Sequence, residues 1–191
     1  MKNVILLGDS IRIGYCNYVK EELKDIAEVV FPDDNSRFTQ YTFVNLFSWL
    51  ALVDNPEDID VIHWNNGLWD VVHFNGDNLP LNTTEEYANT LRRICRKMKE
   101  KAPNAKIIFA TMTPINEDWI QGPNYRIQNE VIKYNGIASD VMKEQGIEVN
   151  DLFKLLDEQP ESYFIDQCHL KPEGYQLVAR QVSSVIKKAL L

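Results

Sequence analysis

A serine that follows an apolar run and a histidine preceded three residues earlier by an aspartate stand at opposite ends of this sequence: Gly8-Asp9-Ser10 and Asp166-Gln167-Cys168-His169. A serine hydroxyl is a poor nucleophile until a base takes its proton, so Ser10 needs an imidazole partner. Asp166 lies close enough to hold one nitrogen of His169 protonated while the other faces the serine. The two remaining histidines compete less well. His63 sits inside an apolar run and reads as core. His73 falls in a polar loop where nothing fixes its ring. The assignment that follows is Ser10 as nucleophile, His169 as general base and Asp166 as the group that orients it. Gly-Asp-Ser alone would equally suit a turn and helix cap, since Asp and Ser are favoured there; the distant Asp-x-x-His tips the balance. Asp9 itself reads as a structural turn residue. Cys168, adjoining His169, reads as a packed thiol, not a nucleophile.

Those residues need a frame that brings them together. Val4 to Leu7 has the unbroken branched-apolar pattern of a strand covered on both faces. A helix is expected from about Tyr15 to Ala27, with Tyr15, Val19, Leu23 and Ile26 as its buried stripe. Further strands are expected at Val29–Phe31, Asp60–Trp64, Lys106–Thr111 and Ile147–Val149. Between and after them, helices are expected at Thr42–Leu52, from the capping box Thr83-Thr84-Glu85-Glu86 to Lys101, at Asn124–Gln145 before Gly146, at Leu152–Leu156, and from Pro172 to Leu190. Trp69 to Asn82 lacks periodicity and reads as a long loop.

Strands alternating with helices give an α/β domain with a parallel sheet, here one three-layer domain over residues 1–191. In such sheets ligands bind beyond the carboxyl ends of the strands. Gly8-Asp9-Ser10, Asn35-Ser36-Arg37, Asn65-Asn66-Gly67 and Asp166 to His169 all fall at such ends. Ser10 would stand at a helix N-terminus, where backbone N–H groups favour a developing oxyanion.

Composition narrows the partners. The 191 residues are 45% hydrophobic and 25% charged, with a formal net charge of -8, which argues against a nucleic acid partner. No stretch reaches the roughly 20 apolar residues of a membrane span. The odd, scattered Cys16, Cys95 and Cys168, with no secretory signal pattern at the start, are expected to be reduced thiols in a cytoplasmic protein. Asp54 to Asp60 lacks metal-ligand spacing, and Asp33-Asp34-Asn35 lacks the Gly and Glu of a calcium loop.

Gly8-Asp9-Ser10, Asn66 after the third strand, and Asp166-x-x-His169-Leu170-x-Pro172-Glu173-Gly174-Tyr175 resemble the SGNH (GDSL-type) hydrolases, in order and spacing, from Ile5 to the final helix. The resemblance implies a flavodoxin-like α/β/α sandwich of about five parallel strands. It implies a triad of Ser10, His169 and Asp166 that works without a metal or organic cofactor. It also implies an oxyanion hole built from the Ser10 backbone N–H, the Asn66 side-chain amide and a third donor that in the family is usually a glycine N–H. The segment Asn35-Ser36-Arg37-Phe38-Thr39 puts Ser36 at that place. The usual Gly-x-Asn-Asp motif is replaced by Trp64-Asn65-Asn66-Gly67; strand alternation leaves one of the two asparagines at the strand tip, assigned to Asn66.

The implied activity is hydrolysis of acyl esters; short acyl groups such as acetyl on carbohydrate are the preferred substrate because no long apolar segment suits a lipid tunnel and several loop aromatics could stack on sugars. Asn65, Trp69, His73 and Trp119 are candidate substrate contacts, although Trp69 and Trp119 read equally as ordinary loop packing. A lysophospholipase or thioesterase is the alternative within enzymes, and a non-catalytic carbohydrate- or acyl-binding protein the alternative outside them.

Overall fold

The computed structural model describes residues 1–120, 122–157, 159 and 161–191. Five parallel strands, β1 (Lys2–Leu7), β2 (Ala27–Val30), β3 (Val61–Asn65), β4 (Lys106–Ala110) and β5 (Glu148–Asn150), form one sheet in the order β2-β1-β3-β4-β5. This is the flavodoxin-like order, and its strand sequence reverses between β1 and β3. The helices are α1 (Ser10–Leu23), α2 (Thr39–Leu50), α3 (Thr84–Lys101), α4 (Gln128–Gln145), α5 (Leu152–Asp157) and α6 (Pro172–Leu190). Right-handed crossovers put α1 against α6 on one face and the row α2, α3, α4 on the other.

Burial explains the sequence pattern. Every residue of β3 is buried, and β1 is buried from Val4 onward, so both strands need apolar side chains on both faces. Trp64 meets Phe109 edge-to-face at 4.9 Å in the middle of the core. Among the described residues, no helix is long and apolar enough to cross a membrane.

Two boundaries differ from the sequence reading in ways that matter. Helix α1 starts at Ser10, not Tyr15, because the Asp9 carboxylate caps it by accepting the Ile11 N–H at 3.0 Å. Its first turn hides this periodicity by burying Arg12 as well as Ile11. The helix also stops at Leu23, leaving Ile26 exposed and Ala27 at the start of β2. Helix α4 starts at Gln128, not Asn124, because Tyr125 forms an antiparallel bridge with His73 in the long loop. The capping box at Thr83 and Glu86 and the span of α6 are as expected.

Two glycines set close approaches. A Cβ on Gly14 would stand 2.1 Å from the Tyr175 ring, so glycine lets α1 and α6 pack in direct contact. Gly8 has φ 155°, and a Cβ there would lie 1.9 Å from Asn65 Oδ1. Gly8→Ala is therefore expected to lower stability by about 1–3 kcal/mol, the usual cost of overpacking, measured by urea denaturation. A loss under about 0.5 kcal/mol would mean the turn can open without penalty.

Candidate active site

The strand order brings the carboxyl ends of β1 and β3 side by side, where the first and third polar clusters meet. After β1 the chain turns at Gly8 and buries Asp9 completely as the helix cap. Burial pushes the Asp9 carboxyl up, opposed by the Ile11 N–H and by the guanidiniums of Arg126 and Arg12. Ser10 is the first residue of α1, so its N–H has no acceptor within the helix and sits at the positive end of the helix dipole.

The Asp166–His169 segment arrives from the other end of the chain, just before Pro172 opens α6. His169 Nε2 lies 2.8 Å from Ser10 Oγ, and His169 Nδ1 lies 2.7 Å from Asp166 Oδ2. The other carboxylate oxygen, Oδ1, accepts the backbone N–H groups of Cys168 at 2.9 Å and His169 at 2.8 Å. Spacing of three residues thus lets one carboxylate bind the turn and the imidazole together. Burial works to raise the Asp166 carboxyl, but those two N–H groups and the imidazole outweigh it and hold it below the usual carboxylate range. An ionised carboxylate only accepts, so Nδ1 carries the proton and Nε2 is the acceptor facing Ser10. The imidazole is pushed up to about 9, first by the Cys168 sulfur 3.8 Å from Nδ1 and then by Asp166, against partial burial.

The loop after β2 departs from expectation. The Ser36 N–H donates to Gly8 O at 3.0 Å, and the Gly8 N–H donates to Ser36 Oγ at 3.0 Å. The N–H and Oγ of the fully buried Ser36 are both spent on locking its loop to the Gly8-Asp9-Ser10 turn, so its N–H is not a free donor. The residue in the left-handed conformation that usually favours glycine is Arg37, with φ 46°. Its carbonyl accepts Asn66 Nδ2 at 2.8 Å, and its N–H donates to Asn35 Oδ1 at 2.8 Å. Holding a non-glycine residue there costs roughly 1 kcal/mol or more.

Of the two asparagines, Asn66 is the one beside that loop. Trp64 Nε1 donates to its Oδ1 at 2.6 Å and so fixes which side of the amide carries the N–H groups. Asn65 is buried with its Oδ1 against Gly8, packed beneath the turn, so it is no substrate contact. His73 is corrected for a similar reason. It is buried and stacked on Tyr125, with Nδ1 at 2.9 Å from Asp77 O and Nε2 at 2.7 Å from Glu130 Oε2, a staple between the long loop and α4. Trp69 is half-buried with its ring tilted against Phe74. Trp119 is 37% exposed, on a loop tied to the histidine segment by the Asn116 N–H donating to Gln167 O at 2.8 Å. A cavity of about 310 Å³ adjoins that loop, lined by Asn116, Glu117, Gln128 and Asp157 with Ile115, Leu156 and Phe164 among others.

His63 belongs to the core, as its apolar surroundings suggest. Gln181 Nε2 donates to Asn150 Oδ1, which turns Asn150 Nδ2 toward His63 Nε2 at 3.1 Å. Nδ1 then carries the proton toward the Tyr15 hydroxyl at 3.3 Å, and burial pushes the ring down to about 3. Among the described residues one His/Cys/Asp/Glu cluster has metal-like proximity, Asp166-Cys168-His169. Its 2.7 Å separation of Nδ1 and Oδ2 is a hydrogen bond, shorter than the roughly 3.3 Å between ligands of one tetrahedral ion.

Three supporting residues carry no sequence signal. Buried Arg12 donates to the Gly8 and Asp34 carbonyls, clamping the turn to the loop after β2. Buried Asp70 Oδ1 accepts Thr39 N–H, Thr39 Oγ1 and Asn82 Nδ2, joining the start of α2 to the long loop; burial pushes its carboxyl up to about 7. Arg126 donates through Nε to Leu68 O, while its carbonyl accepts Gln167 Nε2 at 3.1 Å, so it spans from the loop after β3 to the histidine segment. Each is a charged residue whose own position shows no pattern in the sequence, and only tertiary contacts give it a task.

A family model described as the GDSL-like Lipase/Acylhydrolase family matches residues 6–177. The chain is 25% identical to the GDSL esterase/lipase WDL1 of Oryza sativa subsp. japonica, over 95% of this chain and 66% of that protein. It is 27% identical to the GDSL esterase/lipase CPRD49 of Arabidopsis thaliana, over 95% of this chain and 68% of that protein. It thus spans about two thirds of the length of these relatives. Among solved structures it superposes on the acetyl xylan esterase AlAXEase with TM-score 0.76 at 21% identity, covering 96% of this chain and 99% of that one. It superposes on the lipase/acylhydrolase from Enterococcus faecalis with TM-score 0.77 at 19% identity, covering 98% and 96%. At these identities the structural likeness speaks for the fold.

The sulfur beside His169 makes its titration testable. The imidazole should titrate near 9 by NMR, and Cys168→Ala should move that midpoint down. An unchanged midpoint would assign the whole elevation to Asp166.

Proposed function

Because the chain belongs to the GDSL-like lipase/acylhydrolase family and is a hydrolase of that family, we propose that it cleaves acyl esters through an acyl-enzyme on Ser10. The observation that carries this reading is the continuous line from Ser10 Oγ to His169 Nε2 at 2.8 Å and from His169 Nδ1 to Asp166 at 2.7 Å.

The reaction follows from these positions. His169 Nε2 takes the Ser10 proton as Oγ bonds to the ester carbonyl carbon, and the carbonyl electron pair moves onto oxygen. That oxyanion is met by the Ser10 N–H at the start of α1 and by Asn66 Nδ2. The Arg37 N–H takes the place assigned in the sequence to Ser36, exchanging its Asn35 partner for the oxyanion. As the oxyanion collapses, the ester C–O bond breaks and the imidazolium gives its proton to the departing alkoxide. Water, deprotonated by the same nitrogen, then attacks the acyl-enzyme; collapse of the second oxyanion releases the acid and returns the proton to Ser10. Asp166 stabilises the imidazolium in both halves without changing its own protonation.

The preferred substrate is a short acyl ester, acetyl above all, on carbohydrate. A cavity of about 310 Å³ beside the Asn116 loop is lined by Asn116, Glu117, Gln128 and Asp157 together with Ile115, Leu156 and Phe164, and Trp119 on that loop is partly exposed. Acetyl xylan esterases among the structural neighbours support the same direction. Exposed Ile120 and Ile165 near the histidine segment favour, as the second reading, a longer acyl chain of the lysophospholipase or thioesterase kind.

A fluorophosphonate should label folded wild-type protein at Ser10, and absence of label would favour a non-catalytic binding protein. Ser10→Ala should lower ester turnover by at least about a thousandfold with the melting temperature unchanged. His169→Ala should cost more than Asp166→Asn, because the aspartate orients the imidazole and moves no proton. Since the base must be neutral, kcat/KM should rise with pH until about 9. Across nitrophenyl esters acetate should be fastest; a maximum at eight carbons or more would select the second reading.

A further inference from the structure

Arg37 combines three features that its neighbours do not share. Its backbone is held in the left-handed region at φ 46°, where glycine would be free of strain. It is also pinned at the site: its carbonyl is bonded to Asn66, and the preceding residue is bonded twice to Gly8. Its side chain therefore leaves from the rim of the oxyanion loop itself. The guanidinium lies 4.7 Å from the Tyr41 ring centroid, and among the described residues no carboxylate forms an ion pair with it. The Tyr41 hydroxyl donates to Asp34, which holds the ring that supports the guanidinium. A second guanidinium, Arg126, is fixed to Leu68 O two residues past Asn66 and likewise lacks an ion-pair partner among the described residues. In a chain with 28 acidic and 20 basic residues, Arg37 thus holds a guanidinium without an ion-pair partner among the described residues on the loop bonded to Asn66.

We propose that Arg37 is a specificity-determining residue that binds an anionic oxygen group on the alcohol part of the ester, a carboxylate such as that of an acidic sugar. The proposal rests on the esterase reading above and narrows its substrate class. A stacked guanidinium offers planar paired donors that match a carboxylate bidentately, and the aromatic ring fixes its plane without neutralising its charge. The left-handed backbone sets this side chain on the loop whose carbonyl meets Asn66. A phosphate shares the chemistry, so the test separates the two sources.

Three acetyl esters with related leaving groups suffice: phenyl acetate, 3-acetoxybenzoate and 3-acetoxyphenyl phosphate. The quantity read is kcat/KM of each charged ester relative to phenyl acetate. Arg37→Gly should lower the ratio for the carboxylate ester by about tenfold, the scale of a lost hydrogen-bonded charge contact, and Arg37→Lys should keep part of it. The wild-type ratio should shrink as salt is raised. A drop confined to the phosphate ester would support anion binding with phosphate as its source. Ratios equal within about twofold in wild type and Arg37→Gly, for both charged esters, would overturn the proposal. Binding of 3-hydroxybenzoate by calorimetry separates the two layers of the argument. If no ester is turned over but wild type binds it about tenfold tighter than Arg37→Gly, the esterase reading fails and the anion site stands. Equal binding with no turnover overturns both.

Discussion

Two reciprocal hydrogen bonds between Gly8 and Ser36 hold the site together, each residue giving an N–H to an oxygen of the other at 3.0 Å. They are buried, so each replaces water that neither group can reach, and leaving any one of these groups unpaired would cost about 1–3 kcal/mol. Their effect is geometric. They join the carboxyl end of β1 to the loop after β2, two segments that carry no strand pairing at that depth. Once Ser36 is locked, Arg37 is forced into the left-handed region, its carbonyl meets Asn66, and Thr42 Oγ1 closes the loop by donating to Ser36 O at 2.9 Å.

The remaining polar residues near the site extend that lock. Arg12 reaches from α1 to the Asp34 carbonyl, and Asp70 binds the first residue of α2 to the long loop through Thr39 and Asn82. The buried charges of Asp9, Arg12 and Asp70 are an expensive way to build a loop, and burial raises both acids accordingly. Hydrophobic packing is the main support of the sheet and helices. The loops above it are held by buried polar contacts, which specify one geometry where apolar contacts would tolerate several.

Much of this was legible in the residues because it depends on spacing. Strand and helix order followed from apolar runs and caps, and Asp166 three residues before His169 encoded a contact that any turn of that length permits. What was not legible depends on backbone angle and on distant partners. Ser36 and Arg37 differ by one position, and only the two bonds to Gly8 reveal that the Ser36 N–H is already taken. A left-handed residue is expected to be glycine, so an arginine there leaves no mark in the sequence. His73 sits in an aperiodic loop and invited a site role, yet Glu130 and Tyr125, more than fifty residues away, claim its ring. The early start of α1 was hidden because Arg12 buries a charge where the periodic pattern calls for an apolar side chain.

The contact of α1 with α6 through Gly14 and Tyr175 has a consequence for how the histidine is held. Ser10 and His169 are 159 residues apart, and closing a loop of that length costs about 4–5 kcal/mol in chain entropy. A single hydrogen bond returns only about 1 kcal/mol net, so the Ser10–His169 bond cannot be what keeps the two ends together. The helix pair does that together with the Asn116 and Arg126 bonds to Gln167, and the imidazole is carried on the segment leading into α6. Loosening this helix pair would weaken the hold on His169 beside Ser10 while the central strands remained paired. The working state of the site is thus set by a seam between two helices, at the position of a glycine that never meets a substrate.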